Sequence, residues 1–315
     1  IYMRSLFRIT AAVAIFIAIG VALVRQPVLR GVAYGDNPRA SAALLRRHVN
    51  ALTHDFAPRG ARNIANLDRA ADYLARSFRA SGARVSIQEY DARGRRYRNV
   101  LARFGPASGK LLVVGAHYDA FCETGDLPGA DDNASGTAAL LEIARLLSAR
   151  PPKQPVLLAA WSTEEPPFFG SEQMGSAVHA ESLVHENVEG LICLEMIGYY
   201  APRQAWPNWL FALLYPSRGD FIAVGGGWDD RALVRRVKRG IRGAGGIRVY
   251  SFTGPRVTLD ASDQRNFWSR GWPAALVTDT AFLRNPNYHT ARDTAETLDY
   301  EKMARVVDGV FNAVR

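Results

Sequence analysis

The chain has 315 residues, 48% hydrophobic and 22% charged, which excludes a disordered chain and fits one large folded domain or two small ones. Its net charge of +9 admits nucleic acid or anionic lipid as partners, but no zinc-finger spacing or aromatic-glycine RNA signature accompanies it, so no nucleic-acid role is expected. Two cysteines, Cys122 and Cys193, exclude a disulfide scaffold; export would permit a bond between them, and two unpaired, partly buried thiols are the alternative.

From Ile9 to Val24 the chain is apolar for about sixteen residues, interrupted only by Thr10 and Gly20, with Arg4 and Arg8 before it and Arg25 and Arg30 after. A bilayer core takes ~20 residues to span, and a positive start with a short apolar core fits a secretory signal or an uncleaved anchor. Residues 1–35 are therefore expected to form an N-terminal apolar helix and linker, anchoring the protein to a membrane or directing its export. Gly35-Asp36-Asn37-Pro38 marks the linker and a helix start, and residues 36–315 read as one domain.

Ala43, Leu44, Leu45, Val49 and Leu52 form a helical stripe, and Ile64, Leu67, Ala71, Leu74 and Phe78 form a second within 62–78. Residues 85–90 alternate like a strand, 91–94 turn, and 99–104 return as the other half of a hairpin. Strand-like runs then lead into acids and imidazoles: 111–116 into His117, 156–161 into Glu164-Glu165, 191–194 into Glu195, and 274–277 towards the loop holding His289. A helix is expected over 135–147. Residues 201–220, rich in Pro, Trp and Phe, break the alternation as a surface excursion that would wall a site. Phe221 to Val224 reads as a strand, with Gly225-Gly226-Gly227 as the turn ending it. Arg235, Arg236, Lys238, Arg239 and Arg242 share a helix with Leu233, Val234, Val237 and Ile241, giving a solvated face or a contact for anionic lipid. The alternation predicts an α/β fold with a parallel or mixed sheet covered by helices on both faces.

Acids and imidazoles at the carboxyl ends of several strands lie where such folds put their chemistry. Asp119, two residues after His117, has the spacing to hold that imidazole in one tautomer. Asp131-Asp132 precedes a helix and exceeds what one helix cap requires. Glu164-Glu165 is a self-repelling pair that a cation would stabilise, leaving one carboxylate for proton transfer. Carboxylates mixed with imidazole suit zinc, manganese or cobalt.

Five motifs, His117-Tyr118-Asp119, Gly129 to Gly136, Glu164-Glu165 with Gly170-Ser171, Leu194 to Gly198, and Tyr288 to Thr294, resemble the M28 metallopeptidases, a zinc aminopeptidase family. The resemblance runs from about Arg62 to the last residue. It implies a three-layer αβα sandwich around a mixed, largely parallel sheet, and two Zn2+ ions per chain, with Mn2+ or Co2+ as substitutes. It makes Asp132 the bridging carboxylate, followed by a cis peptide to Asn133. His117 and Glu195 would complete one metal position, Glu165 and His289 the other. Glu164 would be the general base, Asp119 would orient His117, and Tyr288 would donate to the developing oxyanion. The substrate would be a peptide with a free N-terminus. A single-zinc glutaminyl cyclase and an inactive receptor-like ectodomain are the alternatives on this fold. Two departures stand out: Glu195 where many members have Asp, and Ser262-Asp263-Gln264 where the family often has Ser-Asp-His.

Overall fold

The computed structural model describes residues 2–32 and 39–315, with side chains from Thr10 onward. The linker motif Gly35-Asp36-Asn37-Pro38 lies outside the described residues. The helices are α1 (Tyr2–Arg25), α2 (Ala42–Asn50), α3 (Ile64–Ala80), α4 (Gly136–Ala149), α5 (Gly175–Ser182), α6 (Trp209–Leu214), α7 (Arg231–Ala244), α8 (Gln264–Trp268) and α9 (Tyr300–Val314). The strands are β1 (Arg84–Ala92), β2 (Arg95–Phe104), β3 (Leu111–His117), β4 (Val156–Trp161), β5 (Val188–Leu194), β6 (Phe221–Gly227), β7 (Arg248–Gly254) and β8 (Ala274–Thr278).

The strands form one sheet in the order β1-β2-β4-β3-β5-β8-β6-β7. The expected hairpin is there, Val85 pairing with Ala102 and Tyr90 with Tyr97. The four central strands, β4, β3, β5 and β8, run parallel. The β1–β2, β2–β4 and β6–β8 pairings are antiparallel, so the sheet is mixed. Side chains alternate across it. Leu112, Val114, Leu158, Ile192 and Val277 join a core with α2, α3, α4, α7 and α9. Leu111, Val113, Leu157, Leu191 and Leu276 face α5 and α8 in a second core. This is the expected three-layer sandwich. Because the central strands are parallel, their carboxyl ends lie along one edge, and all four strand-to-loop transitions that carry acids or imidazoles meet there.

Three expectations need correction. Gly225-Gly226-Gly227 is not a turn: it completes β6 and pairs with Phe252, Thr253 and Gly254 of β7. A Cβ on Gly226 would come within 2.7 Å of Val234, so the missing side chain lets α7 lie close on the strand. The basic residues of α7 are not simply a solvated face. Lys238 donates to the carbonyl of Arg25, at the end of α1, and to that of Gln26, and Arg242 donates to the carbonyl of Val28 in the segment that follows. Finally, among the described residues no helix is long and apolar enough to cross a membrane, which overturns anchoring through the N-terminal segment. The apolar run is shorter than the ~20 residues a bilayer core requires. The last turn of α1 is instead docked on β7, with Ser251 Oγ donating to the Arg25 carbonyl and Thr253 Oγ1 to that of Leu23.

The excursion at 201–220 closes on itself through a bridge between Ala201 and Gly219. Its Trp206 and Tyr215 pack on Phe221 and Tyr250 at the β6–β7 edge, while Gln204 accepts from Arg284 in the loop that leads to His289. Both cysteines are free, buried thiols.

Candidate metal centre

β3 ends on His117, and the loop after it carries Asp119. β4 delivers Glu164 and Glu165, β5 delivers Glu195, and the long loop after β8 delivers His289. Asp132 stands just before α4, across the cis Asp132-Asn133 peptide that the resemblance implied. The structure brings these residues into two clusters that share Asp132: His117 with Asp132 and Glu195, and Asp132 with Glu165 and His289. Asp132 turns one oxygen to each imidazole. Oδ1 lies 3.4 Å from His117 Nε2 and Oδ2 lies 3.0 Å from His289 Nε2. Glu195 Oε2 is 3.2 Å from His117 Nε2, and Glu165 Oε1 is 3.4 Å from His289 Nε2.

Glu164 belongs to neither cluster, yet its Oε2 approaches His117 Nε2 to 3.8 Å. Asp119 faces His117 Nδ1 at 3.4 Å and accepts the backbone N–H groups of Glu164 and Glu165 at 3.2 and 3.1 Å. One buried carboxylate thus ties the end of β3 to the end of β4. Tyr288 lies flat on the His289 ring, their centroids 3.8 Å apart.

The supporting shell holds residues whose roles were not legible in the chain. Asp293 accepts the N–H groups of Asp131 and Asp132. Asp131 is no cluster member: it accepts from Gly198 N and Asn285 Nδ2, joining three loops. Asn133 donates to the Leu194 carbonyl and to Glu195, while Ser262 donates to Glu195 Oε2 at 2.6 Å. The buried Arg59 donates to the carbonyls of Tyr118 and Gly129, on either side of the site. Gln264 is buried and donates to the Leu259 carbonyl, away from the clusters. Three residues beside or within the clusters, Thr163, Met196 and His289, have φ of 60°, 50° and 54°. Non-glycine residues there cost about 1–3 kcal/mol each and persist where their surroundings enforce them.

Charge decides what this arrangement can hold. Asp119, Asp132, Glu164, Glu165 and Glu195 are all buried, against two imidazoles. Burial, reinforced by neighbouring acids, pushes Glu164 well above the ordinary carboxyl range and Glu165 up to about 8. Burial opposes charge on the imidazoles too, but Asp132 and Glu165 outweigh it at His289, raised to about 9, and the acids around His117 raise it well above its usual value. Nε2 of His117, the ring nitrogen facing the clusters, and Oε1 of Glu165 are buried without a hydrogen-bond partner. Orphaned donor atoms inside a surplus of buried negative charge call for cations. Oxygen and imidazole donors converging this closely fit two Zn2+ ions sharing one carboxylate.

The chain is 49% identical to YfbL, an uncharacterized protein of Escherichia coli K12, over 88% of each chain. It is 26% identical to leucine aminopeptidase 1 of Ajellomyces capsulatus, over 65% of this chain and 52% of that protein, so it spans about half of that relative's length. A glutaminyl cyclase of Bacteroides thetaiotaomicron superposes with a TM-score of 0.68 at 21% identity, covering 89% of this chain and 99% of that one, a likeness of fold alone. The sequence model of Peptidase family M28 matches residues 99–314, a span that contains every member of both clusters. With the sandwich, the shared aspartate and the paired clusters in place, the chain belongs to peptidase family M28.

Proposed function

We propose that this zinc-dependent metallopeptidase is an aminopeptidase that removes residues from peptides with a free N-terminus. The observation that carries the reading is Asp132, placed between two complete ligand clusters with one oxygen towards each. His117, Asp132 and Glu195 would hold one Zn2+, and Asp132, Glu165 and His289 the other. Zinc so held supplies Lewis acidity, polarising a carbonyl and acidifying water. Glu164 stands beside the clusters without joining them, and burial raises its proton affinity. It would accept the proton of the attacking water and hand a proton to the leaving amine. Asp119 would hold the His117 imidazole and, through two backbone N–H groups, the relative placement of Glu164 and Glu165. Burial raises the Tyr288 hydroxyl well above its ordinary value, so it stays protonated and able to donate to an oxyanion.

Glutaminyl cyclisation is the competing reading, since cyclases share the fold. The intact cluster of His117, Asp132 and Glu195 favours the two-metal hydrolase, because a single-zinc enzyme needs only one cluster. Retention of five ligands and Glu164 opposes an inactive receptor-like module. A panel of amino-acid anilides, dipeptides and N-acetylated dipeptides, with and without chelator, tests the reading. Free peptides should be cleaved, blocked ones should not, and chelation should abolish cleavage. Equal cleavage of blocked peptides would refute it. An extracytoplasmic location is part of the proposal. It is supported by the uncharged run from Ile9 to Val24 behind Arg4 and Arg8 and is tested by cell fractionation.

A further inference from the structure

The two histidines of the metal centre are held by different means. His117 has a carboxylate partner, Asp119, facing its Nδ1 at 3.4 Å. Among the described residues, the side-chain polar contacts of His289 are those of its Nε2 with Asp132 and Glu165. Its ring is flanked instead by two aromatic rings. The Phe121 centroid lies 3.9 Å away and that of Tyr288 3.8 Å, each inclined by 18°. Two rings at that spacing cannot share one face, so the imidazole lies between them. Phe121 is only partly buried and belongs to neither hydrophobic core. Core packing therefore does not account for an aromatic residue there. The backbone of His289 adds a need for restraint, with φ at 54° in the left-handed region.

We propose that Phe121, together with Tyr288, is a positioning residue for His289: an aromatic clamp that fixes the second imidazole as Asp119 fixes the first. The loop after β3 would then orient both histidines, through Asp119 on one side and Phe121 on the other. A flat ring on each face removes rotation about the Cβ–Cγ bond and keeps Nε2 aimed at the space beside Asp132 and Glu165. It also shields the imidazole from water on both faces. This inference rests on His289 being a metal ligand.

The test is zinc affinity at each position, measured on the full, metal-depleted chain against a competing chromophoric chelator. Co2+ absorption serves as a second readout of ligand geometry. The wild type should take two ions. Phe121→Ala should weaken one of them by about 10–100-fold, the range found when the groups orienting a ligand histidine are lost, and leave the other unchanged. Phe121→Tyr, which keeps the ring, should restore wild-type affinity and the wild-type Co2+ spectrum. Phe121→Leu, which keeps bulk without a flat face, should remain weakened, and the Tyr and Leu pair decides the matter if the alanine variant does not fold. Wild-type affinity at both positions in Phe121→Ala, or full rescue by Phe121→Leu, would overturn the clamp. The control is His289→Ala: loss of one ion supports the ligand assignment, and retention of both overturns that assignment and the clamp with it.

Discussion

Three requirements of the site converge on Asp119. It faces His117 and accepts the N–H groups of both Glu164 and Glu165, so one side chain sets a ligand, a base and a second ligand relative to one another. Glu164→Gln keeps the shape and removes the basicity, so turnover should fall by roughly 10²–10⁴-fold while metal content stays near two per chain. Glu165→Gln should instead lower metal content. Parallel kinetics and metal analysis check both, and the reverse pattern would exchange the two roles. Strand ends and a helix start marked His117, Glu195 and the pairs Asp131-Asp132 and Glu164-Glu165, while the resemblance to the M28 family singled out Asp132, Glu165 and His289 as ligands. Among the supporting residues Asp119 was legible, two positions from His117, but those that act from distant loops were not. Ser262 meets Glu195 across 67 positions and Asp293 meets Asp132 across 161. A serine or an aspartate in a loop carries no local sign of such a partner.

Elements place these residues by close packing. Gly115 lies two residues before His117 in β3, and a Cβ there would stand 2.0 Å from the Trp161 ring of β4. Gly115→Ala should destabilise the fold by about 1–3 kcal/mol through overpacking, read from the urea midpoint. The same tryptophan donates through Nε1 to His179 Nδ1 on α5, and burial lowers the His179 pKa from 6.5 to about 3. The sign of the linkage follows. Above pH 6.5 the imidazole is neutral in both states. As pH falls from 6.5 towards 3, the unfolded chain takes up the proton and the folded one resists it. Stability should therefore fall by up to about 1.4 kcal/mol per pH unit in that window. Denaturant midpoints from pH 7 to 5 should show this slope in the wild type and a flatter one in His179→Gln. The strands before His117, Glu164 and Glu195 were legible because both faces are buried and their runs are continuously apolar. β7, Arg-Val-Tyr-Ser-Phe-Thr-Gly, was not, because it is an edge strand whose polar residues meet the end of α1.

Across the whole molecule, the end of the N-terminal segment, residues 23–28, is docked on α7 and β7, while Val13, Phe16 and Ile19 of α1 ahead of it stand exposed. Ser251, Thr253, Lys238 and Arg242 all donate to its carbonyls, and Lys238, 8% exposed, has its pKa lowered to about 8 by burial. A chain shortened to begin at Asp36 removes those acceptors but no member of the metal centre. Its turnover should match the full chain, while its thermal midpoint should drop by about 2–4 °C for each kcal/mol lost. An unchanged midpoint would mean that the docking contributes nothing. The docking was illegible because residues 23–28 meet α7 and β7 more than two hundred positions later, and an apolar run reads the same whether it ends in lipid or on a sheet edge.

The claim that organises all of this is that two metal ions share Asp132 and that together they serve peptide hydrolysis. It is tested most directly by returning zinc stepwise to the metal-depleted full chain while following release of the N-terminal residue from an unblocked leucyl dipeptide. Activity should rise until about two equivalents are bound, and a glutaminyl peptide should be cleaved without cyclising. Full activity at one equivalent, or conversion of the glutaminyl peptide to its cyclic product, would contradict the account.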